Sequence, residues 1–211
     1  MLNLTPATPL AMKAGSLPSD SPAEAKRLSD FFVSFDIDMP AQMIARDAVV
    51  QWCQDYTINN KPGAIVLYSN KYGVGKTHLA KCAESVFRYL YKGGQFFTAP
   101  DFLEIIKASY SDDNKLNERD LFRQWRGGWF ILDDFGKQYS TGAEWEQEKW
   151  FKLLDNLYEK QPLMITSNLD ASKMAVRLGG AAWSRLVGLC GEDRFINMDN
   201  LPDRRLKGKT K

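Results

Sequence analysis

The eight residues Asn70-Lys71-Tyr72-Gly73-Val74-Gly75-Lys76-Thr77 stand between a short apolar run, Ala64 to Tyr68 (AIVLY), and a helically patterned segment from Lys76 to Tyr91. A strand, a glycine-bearing turn and a helix, in that order, are the setting that a phosphate-binding P-loop requires. Main-chain N–H groups of such a loop and of the first helical turn converge on an anion, and the helix dipole strengthens the attraction. In that geometry Lys76 reaches the β and γ phosphates of a nucleotide and Thr77 places its hydroxyl on Mg²⁺. Gly73 and Gly75 let the backbone approach without a Cβ in the way. The pattern GxxxxGK[ST] is broken at its first position, where Asn70 stands in place of glycine. Asparagine tolerates left-handed backbone geometry better than other residues with a side chain, so the loop is expected to close.

A nucleotide held this way needs a partner for its metal. Trp129 to Asp134 (WFILDD) is an apolar strand ending in two carboxylates. Such a strand delivers Asp133 to the carboxyl edge of a sheet, where it can hold Mg²⁺ through water, and lets Asp134 polarise an attacking water.

Around these two motifs the text alternates strand and helix. Gln95 to Thr98, Leu163 to Thr166 and Phe195 to Met198 read as further strands. Helices are expected over Pro22 to Phe32, Ala41 to Tyr56, Phe102 to Ser109 with Asp101 as cap, a stretch ending near Arg126, Glu144 to Glu159, and a shorter one from Ser172. The alternation implies a mostly parallel five-stranded sheet covered on both faces, a three-layer α/β/α arrangement. Residues 1–40 read as a flexible extension able to dock on a partner, 41–205 as the single domain and 206–211 as a basic tail.

Composition sets bounds on function. With 211 residues, 44% hydrophobic and 26% charged, the chain suits one soluble domain. No apolar run reaches the roughly 18 residues that span a bilayer, and no secretory signal opens the sequence, so a cytoplasmic location is expected. Cys53, Cys82 and Cys190 are far apart and His78 is the sole histidine, which disfavours a zinc site or disulfide framework. Net charge is only +2. Local concentrations matter more: Arg204, Arg205, Lys207, Lys209 and Lys211 crowd the C-terminus, as a solvated tail or a nucleic-acid arm. Lys115, Arg119, Arg123 and Arg126 recur at spacings of four, four and three, along one stripe of a helix, with Leu121, Phe122 and Trp125 toward another. The stripe is either a solvated face or a set of contacts to nucleic-acid phosphates, with Lys107 and Tyr110 as helpers.

GVGKTHLA at Gly73 to Ala80, WFILDDFGK at Trp129 to Lys137 and PLMITSNL at Pro162 to Leu169 together resemble the DnaC-type helicase loaders and IstB-type transposition helpers, a branch of the AAA+ P-loop ATPases. The resemblance runs from about Ala41 to Arg205 and implies an AAA+ fold with a minimal C-terminal lid, binding ATP or ADP with Mg²⁺. It implies that Asn168 is the polar residue that orients water or meets the γ-phosphate, and that Arg185 is an arginine finger acting on a neighbouring subunit in a self-oligomer. Arg204 or Arg205 would report on the nucleotide from the lid side. His78 falls where the family carries histidine, in a loop-supporting role. Asp134 departs from the glutamate many relatives carry and is one methylene shorter, which implies slow turnover. The helix bearing the basic stripe resembles in position the family's DNA-contacting insertion. The implied partners are DNA, single-stranded by preference, and a replicative helicase, in DNA replication, or a transposase. A small-molecule kinase and a non-hydrolysing ATP-bound module stay open; the kinase needs an arginine-rich lid, which Leu178 to Asp193 does not offer.

Overall fold

Successive side chains of the apolar runs are buried on opposite faces of one sheet. β1 (Ala64–Tyr68), β2 (Gly94–Thr98), β3 (Trp129–Phe135), β4 (Leu163–Ser167) and β5 (Phe195–Asn197) pair in the order β2-β3-β4-β1-β5, all parallel. The computed structural model describes residues 28–90, 93–111, 117–136, 143–158, 160–191 and 193–206. The helices are α1 (Pro40–Thr57), α2 (Lys76–Leu90), α3 (Ala99–Ala108), α4 (Glu118–Gln124), α5 (Ala143–Leu157), α6 (Ala171–Leu178) and α7 (Gly180–Cys190), with a 3₁₀ turn at Arg204–Leu206. Among the described residues no helix is long and apolar enough to cross a membrane.

On one face Ala64, Val66, Phe130 and Leu132 pack with Phe102, Phe122, Trp150 and Leu154. On the other, Ile65, Leu67, Trp129 and Ile131 pack with Trp52 of α1 and Leu79 and Phe87 of α2. Burial on both sides is why these strands read as unbroken apolar runs and not as alternating ones. The strand order brings the ends of β1, β3 and β4 together, so the loops after them share one edge of the sheet.

Four expectations change. Leu28, Phe32 and Phe35, placed by the sequence in a flexible extension, are 5%, 1% and 1% exposed in the second core. Their spacing of four and three puts them on one side of a turning chain, and each buried Phe contributes about 1.5–3 kcal/mol; residues 28–39 therefore pack with the domain. Residues 1–27, and with them most of the helix expected over Pro22 to Phe32, lie outside the described residues, as do Lys115, Lys137 and residues 207–211 of the tail. The cap of α3 is Thr98, whose hydroxyl accepts from the Asp101 amide, while Asp101 sits in the first turn where the dipole favours an acid. The segment after Asp170 is two helices, separated at Gly179, whose φ of 79° ends the first. β3 runs on through Asp133 and Asp134 to Phe135, because a bulge keeps it paired with β4.

Candidate functional site

The loop after β1 is fastened at its start. Asp199 Oδ1 accepts from the Ser69 hydroxyl and the Asn70 amide, both at 2.8 Å, and the Lys71 amide donates to Ser69 Oγ at 3.0 Å. Among the described residues other than glycine, only Asn60 and Asp134 have positive φ. Asn70 thus closes the loop without the left-handed geometry expected of it; its amide is satisfied by Asp199 instead. Gly73 and Gly75 do adopt positive φ, 73° and 103°. A Cβ on Gly73 would fall 1.8 Å from Asp203 Oδ1, and one on Gly75 2.7 Å from Phe35 Cε2. Lys76 is 6% exposed, and its ammonium donates to the carbonyls of Lys71 (2.9 Å) and Ser69 (3.3 Å) inside the loop.

Thr77 opens α2 with its hydroxyl 3.1 and 3.0 Å from the two carboxylate oxygens of Asp133. Asp133 is 4% exposed and also accepts from the Thr166 hydroxyl. A hydroxyl and a carboxylate in contact are hard oxygen donors suited to Mg²⁺, which takes one or two such groups and completes its shell with water and phosphate. Among the described residues no three His, Cys, Asp or Glu side chains cluster as an all-protein metal cage.

The bulge places Asp134. Leu132 pairs with Ile165 and Phe135 with Ser167, so Asp133 and Asp134 together oppose Thr166 alone. Asp134 takes φ 57°, and its amide donates to Thr166 Oγ1 at 3.0 Å. Left-handed geometry at a residue with a side chain costs on the order of 1–3 kcal/mol and concentrates where a side chain must be aimed.

A cleft of about 410 Å³ gathers residues 72–78 with Asp134, Asn168, Arg204 and Arg205, and also Ser34 and Asp36. Most residues expected in the site therefore meet there. Asn70 and Lys71 do not line it, and Lys71 takes part through its main chain, its carbonyl accepting from Lys76 and its amide donating to Ser69. Arg185 is elsewhere: its Nη2 is 2.8 Å from Asp155 Oδ1 and its guanidinium lies over Phe151 and Tyr158, at 4.9 and 5.6 Å. His78 Nε2 is 2.9 Å from Ser34 Oγ, with its ring edge-on to Phe35 at 5.6 Å. Burial, then the Arg204 charge, hold the His78 pKa below 6.5 against the opposing pull of Asp36. Ser34, Phe35, Asp36 and Thr166 were not picked out from the sequence. The spacing of Leu28, Phe32 and Phe35 carried a signal for the first three, and Thr166 lay unremarked inside ITSNL.

A second concavity, of about 550 Å³, lies between α4 and α5. Arg119, Arg123 and Arg126 line it with Lys152, Asn156, Glu118 and Phe122. Arg126 donates twice to Asn156 Oδ1, at 3.1 and 2.7 Å, and Lys149 and Lys152 both bond Glu118. Among the described residues Arg119 and Arg123 make no ion pair. The two helpers are not in this groove: Lys107 lies over the Trp145 ring at 5.2 Å, and the Tyr110 hydroxyl donates to Glu118. Leu121, Phe122 and Trp125 are buried, as their side of the stripe requires.

A five-stranded parallel sheet, a P-loop joined to a strand-end carboxylate and a polar residue closing β4 define a P-loop domain of the AAA+ class. The family model for IstB-like ATP binding proteins matches residues 12–186, and the chain belongs to that family. No curated protein sequence is significantly similar to it. Among solved structures, the DnaC helicase loader superposes with a TM-score of 0.63 at 17% identity, over 82% of this chain and 98% of that one. DnaI gives 0.56 at 23% identity, over 81% and 92%. Domain III of the replication initiation protein DnaA of Thermotoga maritima gives 0.60 at 20% identity, over 80% of this chain and 66% of that domain structure. At such identities the likeness is one of fold, and with the family match it sets the chain in the DnaC/IstB branch of AAA+ proteins.

Proposed function

We propose that the chain hydrolyses ATP and acts in DNA replication as a helicase loader of the DnaC type, binding DNA and a replicative helicase. The observation that carries the hydrolytic reading is the approach of Asn168 to Asp134 beside the phosphate loop, 3.5 Å between Nδ2 and Oδ1. Lys76 meets the β and γ phosphates, and the amides of residues 73–77 surround them. Mg²⁺, held at Thr77 and Asp133, supplies charge neutralisation to the phosphates when bound. Asp134 takes a hydrogen bond from the attacking water and Asn168 orients it. Arg185 serves a neighbouring copy in a self-oligomer, after leaving Asp155.

The groove with Arg119, Arg123, Arg126 and Lys152 supports contact with nucleic-acid phosphates, single-stranded DNA by preference. The family match favours a second reading, in which the same machine serves a transposase. A kinase is disfavoured because α7 is packed into the core through Ala182, Leu186 and Leu189 and does not cover the cleft.

The test is ATP turnover with and without single-stranded or duplex DNA, alongside particle size in ATP and in ADP. DNA-stimulated turnover with ATP-dependent assembly is expected. Tight binding with no turnover under any condition overturns the hydrolytic reading. Stimulation by duplex alone favours the transposase.

A further inference from the structure

The chain before α1 and the chain after β5 meet on the cleft. The Arg204 amide donates to the Gly73 carbonyl at 2.9 Å, and its guanidinium lies 4.0 Å over the Phe35 ring. Arg204 Nη2 stands 3.5 Å from Asp36 Oδ2, a long and uneven pair: the arginine side chain is 12% exposed, the aspartate 71%. Among the described residues, Arg204 Nη1 is buried with no hydrogen-bond partner. A guanidinium carries five donors, and a buried donor left unmatched is costly. Arg204 thus holds more hydrogen-bonding capacity than the protein around it uses, in a cleft built for phosphate.

We propose that Asp36 competes with the bound nucleotide for Arg204 and so restrains nucleotide affinity from the N-terminal side of the cleft. Arg204 lies beyond the residues matched by the family model, and Asp36 belongs to the segment the sequence left outside the domain. The direction follows from charge. A polyphosphate offers a guanidinium several oxygens and more than one negative charge, whereas Asp36 is a single, largely hydrated carboxylate. The nucleotide wins Arg204, and the pair with Asp36 is lost in the exchange. The proposal rests on reading the cleft as a nucleotide site.

Calorimetry with Mg-ADP on the unaltered protein, Asp36→Asn, Arg204→Gln and the double variant tests it. Asp36→Asn is expected to bind about threefold tighter, the size of one partly exposed pair. In the Arg204→Gln background the same change has no effect. A gain of equal size in both backgrounds means plain charge removal and overturns the proposal, as does no gain in the parent. Should Arg204→Gln not fold, Arg204→Met replaces it with the same expectation: the Asp36→Asn gain vanishes in that background, and a gain equal to the parent's overturns the proposal. Absence of Mg-ADP binding by the unaltered protein overturns both this proposal and the nucleotide reading. Binding without coupling overturns this proposal alone.

Discussion

Asn168 Nδ2 lies 3.5 Å from Asp134 Oδ1, although the two residues are 34 positions apart and Asp134 sits at a φ of 57°. Both stand at ends of neighbouring strands, and the bulge opposite Thr166 turns Asp134 toward the cleft that Asn168 also lines. A donor fixed beside a carboxylate acts on the transition state more than on the bound ground state. Asn168→Ala is expected to slow single-turnover hydrolysis by about 10²–10³-fold, the range for one preorganised donor. Mg-ATP affinity should change little. Loss of affinity in step with the rate would contradict the assignment, since it would make Asn168 a binding residue.

His78 is the sole histidine of the chain, so its titration can be followed without assignment. Burial first, and then Arg204, lower its pKa from 6.5. A folded value below the unfolded one means that the unfolded state takes up the proton first, so stability is full above pH 6.5 and declines as pH falls through that value. The ring proton resonances are expected to titrate below 6.5, and His78→Gln should flatten the decline. A midpoint above 6.5 would contradict the burial of the ring against Phe35.

Glu118 shows the same sign of linkage in a more acidic window. Burial opposes its ionisation, but hydrogen bonds from Tyr110, Lys152 and Lys149 outweigh that and hold its pKa at about 2, against an ordinary 4.5. Its contribution is complete above 4.5 and is lost as pH falls from there toward 2. Denaturant titrations at stepped pH should show a shallower acid loss for Glu118→Gln across that window. An unchanged slope would mean that the Lys149 and Lys152 pairs are not formed in solution.

Arg119 and Arg123 face the groove between α4 and α5, with no acid holding them among the described residues. If they neutralise two DNA phosphates, reversing both to glutamate lowers the dependence of log affinity on log salt by about 1.4 for a single strand and weakens binding roughly tenfold or more. Fluorescence anisotropy with labelled single strands across a salt series measures both. Affinity and slope equal to those of the parent would leave the stripe a solvated face.

The strands and the P-loop were legible because both are local. An apolar run buried on two faces and a Gly-Lys-Thr opening a helix need no knowledge of distant residues. Asp133 and Asp134 were legible as a strand end, whereas the bulge at that end was not: it depends on register with β4, which lies 30 residues away at Leu163. The same is true of Asn70. Its loop is held by Asp199, 129 positions on, and not by any property of asparagine itself. The burial of Phe32, at the end of an expected helix, and of Phe35 was not legible, because both follow a Pro- and Ser-rich lead-in that masks a short apolar spacing. Ser34 and Asp36 reach the cleft because those two rings anchor the segment around them in the core.

The decisive measurement is calorimetry with Mg-ATP on the unaltered protein and on Lys76→Ala. One site per chain is expected, with affinity at least about a hundredfold weaker in the variant, as the loss of a charge-assisted phosphate contact of about 3 kcal/mol requires. Equal heats from both proteins, or none from the unaltered one, would contradict the reading of residues 70–77 as the seat of a triphosphate.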